Sequence, residues 1–148
     1  MNINIWGPIV WKFLHTLVAK IKEDKFNLIK VELLSAIKYI CNVLPCPICR
    51  QHASNYLSKI NIDSINNKKL FEIYIFNLHN IVNKNKMKNI EDENILNQYK
   101  SFNLEECYKG LINVLINSNG ENITYGFKVK IHIKEIVNKM NKIKHYLD

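Results

Sequence analysis

Arginine is almost missing from this chain. Arg50 is the only one, although Lys and Arg together number 21 against 13 Asp and Glu. The net charge of +8 could suggest nucleic acid or an anionic surface as a partner. The lysines are scattered, however, and no nucleic-acid-binding motif accompanies them. Lys, Asn and Ile are abundant together, as AT-rich coding would produce, so nucleic acid is not expected as a partner. No apolar run approaches the ~20 residues that a membrane span needs. The N-terminus lacks a basic segment followed by an apolar run and a small-residue cleavage site. The chain therefore reads as soluble and non-secreted. Four cysteines are too few for a disulfide scaffold. No long repeat and no low-complexity linker divides the 148 residues, so residues 1–148 are expected to form one domain.

What the chain does have is the stretch from Leu44 to His52, Leu-Pro-Cys-Pro-Ile-Cys-Arg-Gln-His. If Cys46 caps a helix, Pro47 falls at its first position, where a missing N–H costs nothing. Cys46 and Cys49 then share one face of the first turn and can close a small disulfide ring. Free N–H groups and the helix dipole at that end favour a thiolate. Arg50 adds a positive charge. These features describe a redox-active pair; a zinc clip and two idle buried thiols are the other readings. His52, one turn past Cys49, either touches the same site or sits at the surface.

Helical spacing of apolar residues continues on both sides. Residues 8 to 22 read as a helix starting at Pro8, with Val10, Leu14, Leu17, Val18 and Ile21 on its buried face. Trp11 and His15 lie on an adjacent face. They either line a flat aromatic ligand or are a core Trp beside a satisfied His. Residues 27 to 43 form a second helix capped by Asn27, with Cys41 at the edge of its stripe. A third runs from Cys46 to about Lys59. The fourth, residues 68 to 86, puts His79 and Asn83 one turn apart inside an apolar helix, where buried polar groups need partners. Lys84 to Asn94 reads as loop, with a short helical turn near Ile95 to Tyr99. Asn103 and Glu106 have capping-box spacing ahead of a helix over residues 104 to 117, whose stripe includes Cys107. Both Cys41 and Cys107 read as core thiols first.

Three clusters thus stand on three helices: Trp6-Gly7-x-x-x-Trp11-x-x-x-His15, Cys46-x-x-Cys49-x-x-His52, and His79-Asn80-Ile81-Val82-Asn83. Their order and spacing resemble the Erv/ALR sulfhydryl oxidases, over about residues 6 to 88. Leu44 to Ala53 is especially similar to the short poxviral members. The resemblance implies an all-α fold. A four-helix bundle would hold FAD in its core with a short fifth helix, over about residues 6–100, followed by a C-terminal extension over about 101–148. It implies that Cys46 exchanges with a substrate thiol and that Cys49 lies against the flavin. It implies cofactor contacts from Trp6, Gly7, Trp11, His15, His52, His79, Asn80, Val82, Asn83 and Lys88. Electrons would pass to dioxygen and give hydrogen peroxide. The partner would be a protein dithiol, such as a small thioredoxin-like or Cys-x-x-Cys relay protein, in a viral disulfide-forming pathway. A viral member would work in the cytoplasm of the infected cell or in the virion. Lys86 stands where the family commonly has leucine, and Cys41 and Cys107 match no shuttle pair.

A different class remains alongside: a zinc-stabilised interaction module using Cys41, Cys46, Cys49 and His52 as ligands. It leaves the Trp11/His15 and His79/Asn83 clusters without a role. A thioredoxin-like fold needs strands alternating with helices, and the first 117 residues carry almost no strand signal. The period changes only later. Ile123, Tyr125, Phe127, Val129 and Ile131 alternate with polar residues, which predicts a short strand before a helix over residues 134 to 147. With no second strand to pair with, it is expected to pair with its own copy in a homodimer.

Overall fold

The computed structural model describes residues 2–118 and 123–148, with side chains of all of these except 123–127. Six α-helices carry the fold: α1 Ile3–Lys20, α2 Phe26–Asn42, α3 Pro47–Leu57, α4 Lys68–Asn85, α5 Leu104–Asn117 and α6 Ile123–Ile143. A 3-10 helix, Glu93–Ser101, links α4 to α5. The all-α reading holds, and no strand occurs among the described residues.

Asparagine starts three of these helices. Asn2, Asn67 and Asn103 each accept a hydrogen bond from a backbone N–H in the first turn, which would otherwise lack a partner. Asn2 therefore moves the start of α1 ahead of Pro8, which lies inside the helix rather than opening it. Asn27 is not a cap either. It lies within α2 and donates Nδ2 to the carbonyl of Asn66 at 2.8 Å.

The core runs between α1, α2, α4 and α5. Phe13, Leu14 and Leu17 of α1, Leu33 and Ile37 of α2, and Phe71, Ile75 and Leu78 of α4 are all fully buried. At roughly 1.5–3 kcal/mol for each such side chain, these helices supply most of the driving force. By contrast α3 buries only Ala53 and Leu57. α3 is thus a light element carried by a heavy frame. α5 packs on α1 and approaches closely at Gly110, where an added Cβ would lie 3.1 Å from Ile9 Cγ2.

One cation is buried in the frame. Lys68 Nζ donates to the carbonyls of Ala19 (3.0 Å) and Ile21 (2.9 Å), with Glu23 3.7 Å away. Those carbonyls end α1, where the helix dipole is negative and partners are missing.

The C-terminal segment corrects the expectation of a strand. Residues 123–131 are the first turns of α6 and make their backbone hydrogen bonds within it. The alternation breaks on burial: Val129 is 7% exposed, but Ile131, two residues on, is 54% exposed. Val129, Ile136 and Ile143 recur at helical spacing and are buried together. The strand-paired homodimer therefore loses the element it was built on. α6 runs antiparallel to α2 in its own bundle, His132 meeting Tyr39 and Lys139 meeting Ser35. Its end is fastened to α1: Tyr146 accepts from Lys22 N–H (2.8 Å), and Asp148 N–H donates to Lys20 (2.7 Å).

Candidate active site

Pro45 cannot continue α2, and Cys46 opens α3 four residues beyond the last residue of α2. Cys46 is the N-cap, and its Sγ accepts from Cys49 N–H at 3.2 Å. Pro47 takes the first helical position as expected. Cys46 and Cys49 are joined as a disulfide, with Cα atoms 5.2 Å apart. Arg50 fixes this corner: its N–H donates to the Cys46 carbonyl (3.0 Å), and Nη1 donates to the Leu44 carbonyl (2.5 Å). A sulfur released here would leave as a thiolate beside free N–H groups and the positive end of α3.

Behind the disulfide lies a cavity of about 720 Å³. α1 gives it Trp6, Gly7, Val10, Trp11 and Leu14; α3 gives Cys49 and Ala53; α4 gives His79, Val82 and Asn83. Cys49 is on its wall and Cys46 is not. The expected residues Trp6, Gly7, Trp11, His79, Val82, Asn83 and Lys88 all line it.

Inside it the aromatic rings are flat against one another. Trp11 stacks on His79 with centroids 4.2 Å apart and planes 12° from parallel. His15 stands behind, its Nε2 3.1 Å from His79 Nδ1 and its ring 4.7 Å from that of Tyr99. One of the two facing nitrogens donates and the other accepts. Burial, with His79 adding to it, pushes His15 down to about 3. Burial and then Lys88 push His79 down to about 4. Both rings are neutral near pH 7, so the positive charge around the cavity comes from Lys12, Lys86 and Lys88, against Glu91.

Lys86 and Lys88 owe their place to a turn. α4 ends with Lys88 N–H donating to Asn83 (2.8 Å) and Met87 N–H donating to Lys84 (3.1 Å). That is the Schellman pattern, whose left-handed position usually belongs to glycine. Here Met87 occupies it at φ 56°. Asn80 holds the following loop, donating to Glu91 O (3.1 Å) and accepting from Glu91 N–H (2.9 Å). Asn80 thus positions the wall and does not line the cavity itself.

Two further sites expected from the sequence lie elsewhere. His52 is exposed and does not line the cavity. His15 reaches it only through the rings of Trp11, His79 and Tyr99. Conversely, Lys12, Tyr99 and Phe102 line the cavity without having been singled out. Lys12 Nζ sits 4.2 Å over the Phe102 ring. Tyr99 and Phe102 are three apart at a 3-10 turn, a spacing that places them on one side.

Cys41 and Cys107 are free and buried, as expected for core thiols. Burial pushes Cys41 up to about 12, so it stays a thiol although it borders the cavity. Cys107 Sγ donates to Thr16 Oγ1 at 3.9 Å. The zinc reading loses its ligands. Cys46 and Cys49 bond to each other, His52 is exposed, and no group of three or more His, Cys, Asp or Glu among the described residues is placed to hold a metal.

Known proteins are similar to this chain in sequence. A protein of African swine fever virus named FAD-linked sulfhydryl oxidase, from a Malawi tick isolate, is 35% identical over 101 residues, covering 62% of this chain and 84% of its own. Its counterpart from a Kenyan pig isolate, under the same name, is 41% identical over 103 residues, covering 62% and 83%. A relative from Invertebrate iridescent virus 6 is 31% identical over 86 residues, covering 54% and 78%. No solved structure gives a significant match. The Erv1 / Alr family model matches residues 8–120, from the middle of α1 past the end of α5. A match of that extent decides membership: the chain belongs to the Erv1 / Alr family.

Proposed function

We propose that this protein is an FAD-linked sulfhydryl oxidase that makes disulfides in protein substrates. One observation carries the reading: a disulfide at a helix N-terminus has its second sulfur on the wall of an aromatic-lined cavity and its first sulfur off that wall. The cavity suits the cofactor. Its volume of about 720 Å³ lies within the range of cofactor sites. Trp11, His79, Tyr99 and Phe102 offer flat faces to ring systems, and Lys12, Lys86 and Lys88 offer charge to a diphosphate. These residues, with Trp6, Gly7, Val82 and Asn83, would hold it.

The chain's own residues perform the exchange. A substrate thiolate attacks Cys46 Sγ, forming a mixed disulfide and breaking the bond to Cys49. Cys49 leaves as a thiolate favoured by the end of α3. The second substrate thiol attacks the mixed disulfide, releasing the substrate oxidised and the pair as a dithiol. FAD, when bound, supplies the acceptor for those two electrons and their onward transfer to dioxygen as hydrogen peroxide. Arg50 keeps the Cys46 corner in place, and the neutral imidazoles keep added charge away from the ring site.

We place this protein in a viral disulfide-forming pathway, with a small dithiol relay protein as substrate, in infected-cell cytoplasm or in the virion; the viral source of its relatives supports that setting. No helix among the described residues is long and apolar enough to cross a membrane. The test is direct. The purified protein should be yellow and form one peroxide per disulfide. Cys46→Ser and Cys49→Ser should keep the colour and lose turnover, and a cysteine-trapped substrate should be linked to Cys46. Full turnover in either variant would overturn the mechanism.

A further inference from the structure

The family match stops at residue 120, so all of α6 lies beyond it. Yet α6 comes close to the chemistry. Lys139 Nζ meets Ser35 Oγ at 2.9 Å. Two turns earlier on α6, His132 Nδ1 meets the Tyr39 hydroxyl at 3.0 Å. One more turn along the antiparallel pair brings Lys128 level with the end of α2, where the chain passes through Leu44 to Cys46. Arg50 reaches the same corner from α3, holding the Leu44 carbonyl. His132 lies in the field of both. Burial first, then Lys128 and Arg50, hold its imidazole below the ordinary range.

Acidic residues are sparse in the sequence on both sides of this corner. The sequence has no Asp or Glu between Glu32 and Asp63, nor between Glu121 and Glu135. Glu135 itself is paired with Lys139 at 3.8 Å. The acids gather elsewhere, at Glu91 to Glu93 and at Glu105 and Glu106. A coding bias toward lysine explains many lysines, but it explains neither the one arginine at this corner nor the missing acids. Beside it, Ile48 stands between the two cysteines 65% exposed, next to exposed Pro47. One exposed isoleucine is ordinary on a surface. Two residues from Cys46, it is placed to meet a substrate that docks there.

We propose that Arg50 and Lys128, with Pro47 and Ile48, form a docking face around Cys46 that takes a protein dithiol set in an acidic surface. The inference rests on the oxidase reading for its occupant, and on charge complementarity for that occupant's character. α6 is then a specificity element added to the catalytic bundle.

The test uses flavin-loaded full-length protein and two reduced peptides of equal length. Each holds one Cys-x-x-Cys, flanked by four glutamates in one and four lysines in the other. The wild type should show a higher kcat/KM for the acidic peptide, and the preference should shrink as salt shortens the screening length. Lys128→Glu, which turns one attraction into a repulsion, should cut kcat/KM for the acidic peptide about 30-fold, the square of the roughly five-fold that one close charge pair is worth in water, and leave dithiothreitol turnover unchanged. Lys128→Arg should keep the preference. Binding of the acidic peptide with serines in place of cysteines, followed by fluorescence anisotropy, should weaken in parallel. Equal rates for the two peptides, or an unchanged preference in Lys128→Glu, would overturn the docking face. If dithiothreitol is not oxidised at all, the oxidase reading falls. The anisotropy arm still decides the face, which stands only if binding is salt-sensitive and weakened by Lys128→Glu.

Discussion

Replacing His15 by glutamine should flatten the dependence of stability on pH. The folded protein holds His15 at about 3 and His79 at about 4. The unfolded chain returns both to about 6.5. Between these values the unfolded state binds more protons, so stability rises with pH there. The contribution is fully present above about pH 6.5 and is lost as pH falls toward the folded values. Going from pH 7.5 to 5.5, a histidine held neutral throughout loses about 1.4 kcal/mol, one pKa unit's worth. This figure depends only on the folded value lying well below 5.5. His15, 3% exposed, should give nearly all of it. His79 is partly open and should give somewhat less. Together they would account for about 2–2.5 kcal/mol of acid sensitivity. The assay is urea unfolding at both pH values, with FAD in fixed excess, for wild type, His15→Gln and the double His15→Gln/His79→Gln variant. Glutamine keeps hydrogen-bonding capacity without titrating in this window. Other titrating groups cancel in the comparison of pH differences. If His15→Gln keeps the whole wild-type difference, the claim of a neutral buried pair is wrong.

Other consequences can be measured alongside. Lys68→Met keeps the buried stem but drops two charge-assisted hydrogen bonds to the end of α1. It should lower stability by about 2–4 kcal/mol, whereas Lys69→Met, at an exposed ion pair, should change it by under about 0.5 kcal/mol. Met87→Gly should raise the urea midpoint, worth about 0.5–1 kcal/mol, because the left-handed position at φ 56° suits glycine. Gly110→Ala should change stability by less than about 1 kcal/mol, because the roughly 1 kcal/mol gained in helix propensity is offset by the few tenths of an ångström that the Ile9 side chain must give. Cys41 should resist alkylation at pH 8 in the folded protein, and Cys41→Ser/Cys107→Ser should keep most turnover with a small dithiol. Loss of that turnover in a folded, flavin-loaded variant would make them electron relays.

The bundle was legible because its helices bury single stripes. Ile29, Leu33, Ile37 and Ile40 lie where period 3.6 puts them, and so do Leu111, Val114 and Leu115. The redox turn was legible because Pro47 and two cysteines leave few geometries open. α6 was misread for a physical reason. Its β-branched residues fall two apart from Val129 to Ile133, which suits a strand locally, but packing on α2 selects the helical subset Val129, Ile136 and Ile143. Tyr99 and Phe102 were missed because their role depends on where a 3-10 segment crosses α1, which no local pattern encodes. Asn80 and His52 show the reverse limit. A motif names residues on one helix, but the side of the helix each occupies assigns one to a loop and the other to solvent.

The fastening of Lys22 to Tyr146 and of Asp148 to Lys20 bears on how the protein is made. These bonds join the end of α1 to Tyr146 and Asp148, closing a loop that contains all the other helices. On the ribosome, where synthesis runs from the N-terminus, α1 to α5 can meet while translation continues. The backbone groups at Lys20 and Lys22 must wait until Tyr146 and Asp148 have been made. Until then the face of α2 destined for α6 is bare, and the nascent bundle carries an uncovered apolar strip. A ribosome stalled just short of Tyr146 would therefore hold this bundle with one seam open. Protease pulse-labelling of such stalled chains should cut near Lys22 and protect it once Asp148 has emerged.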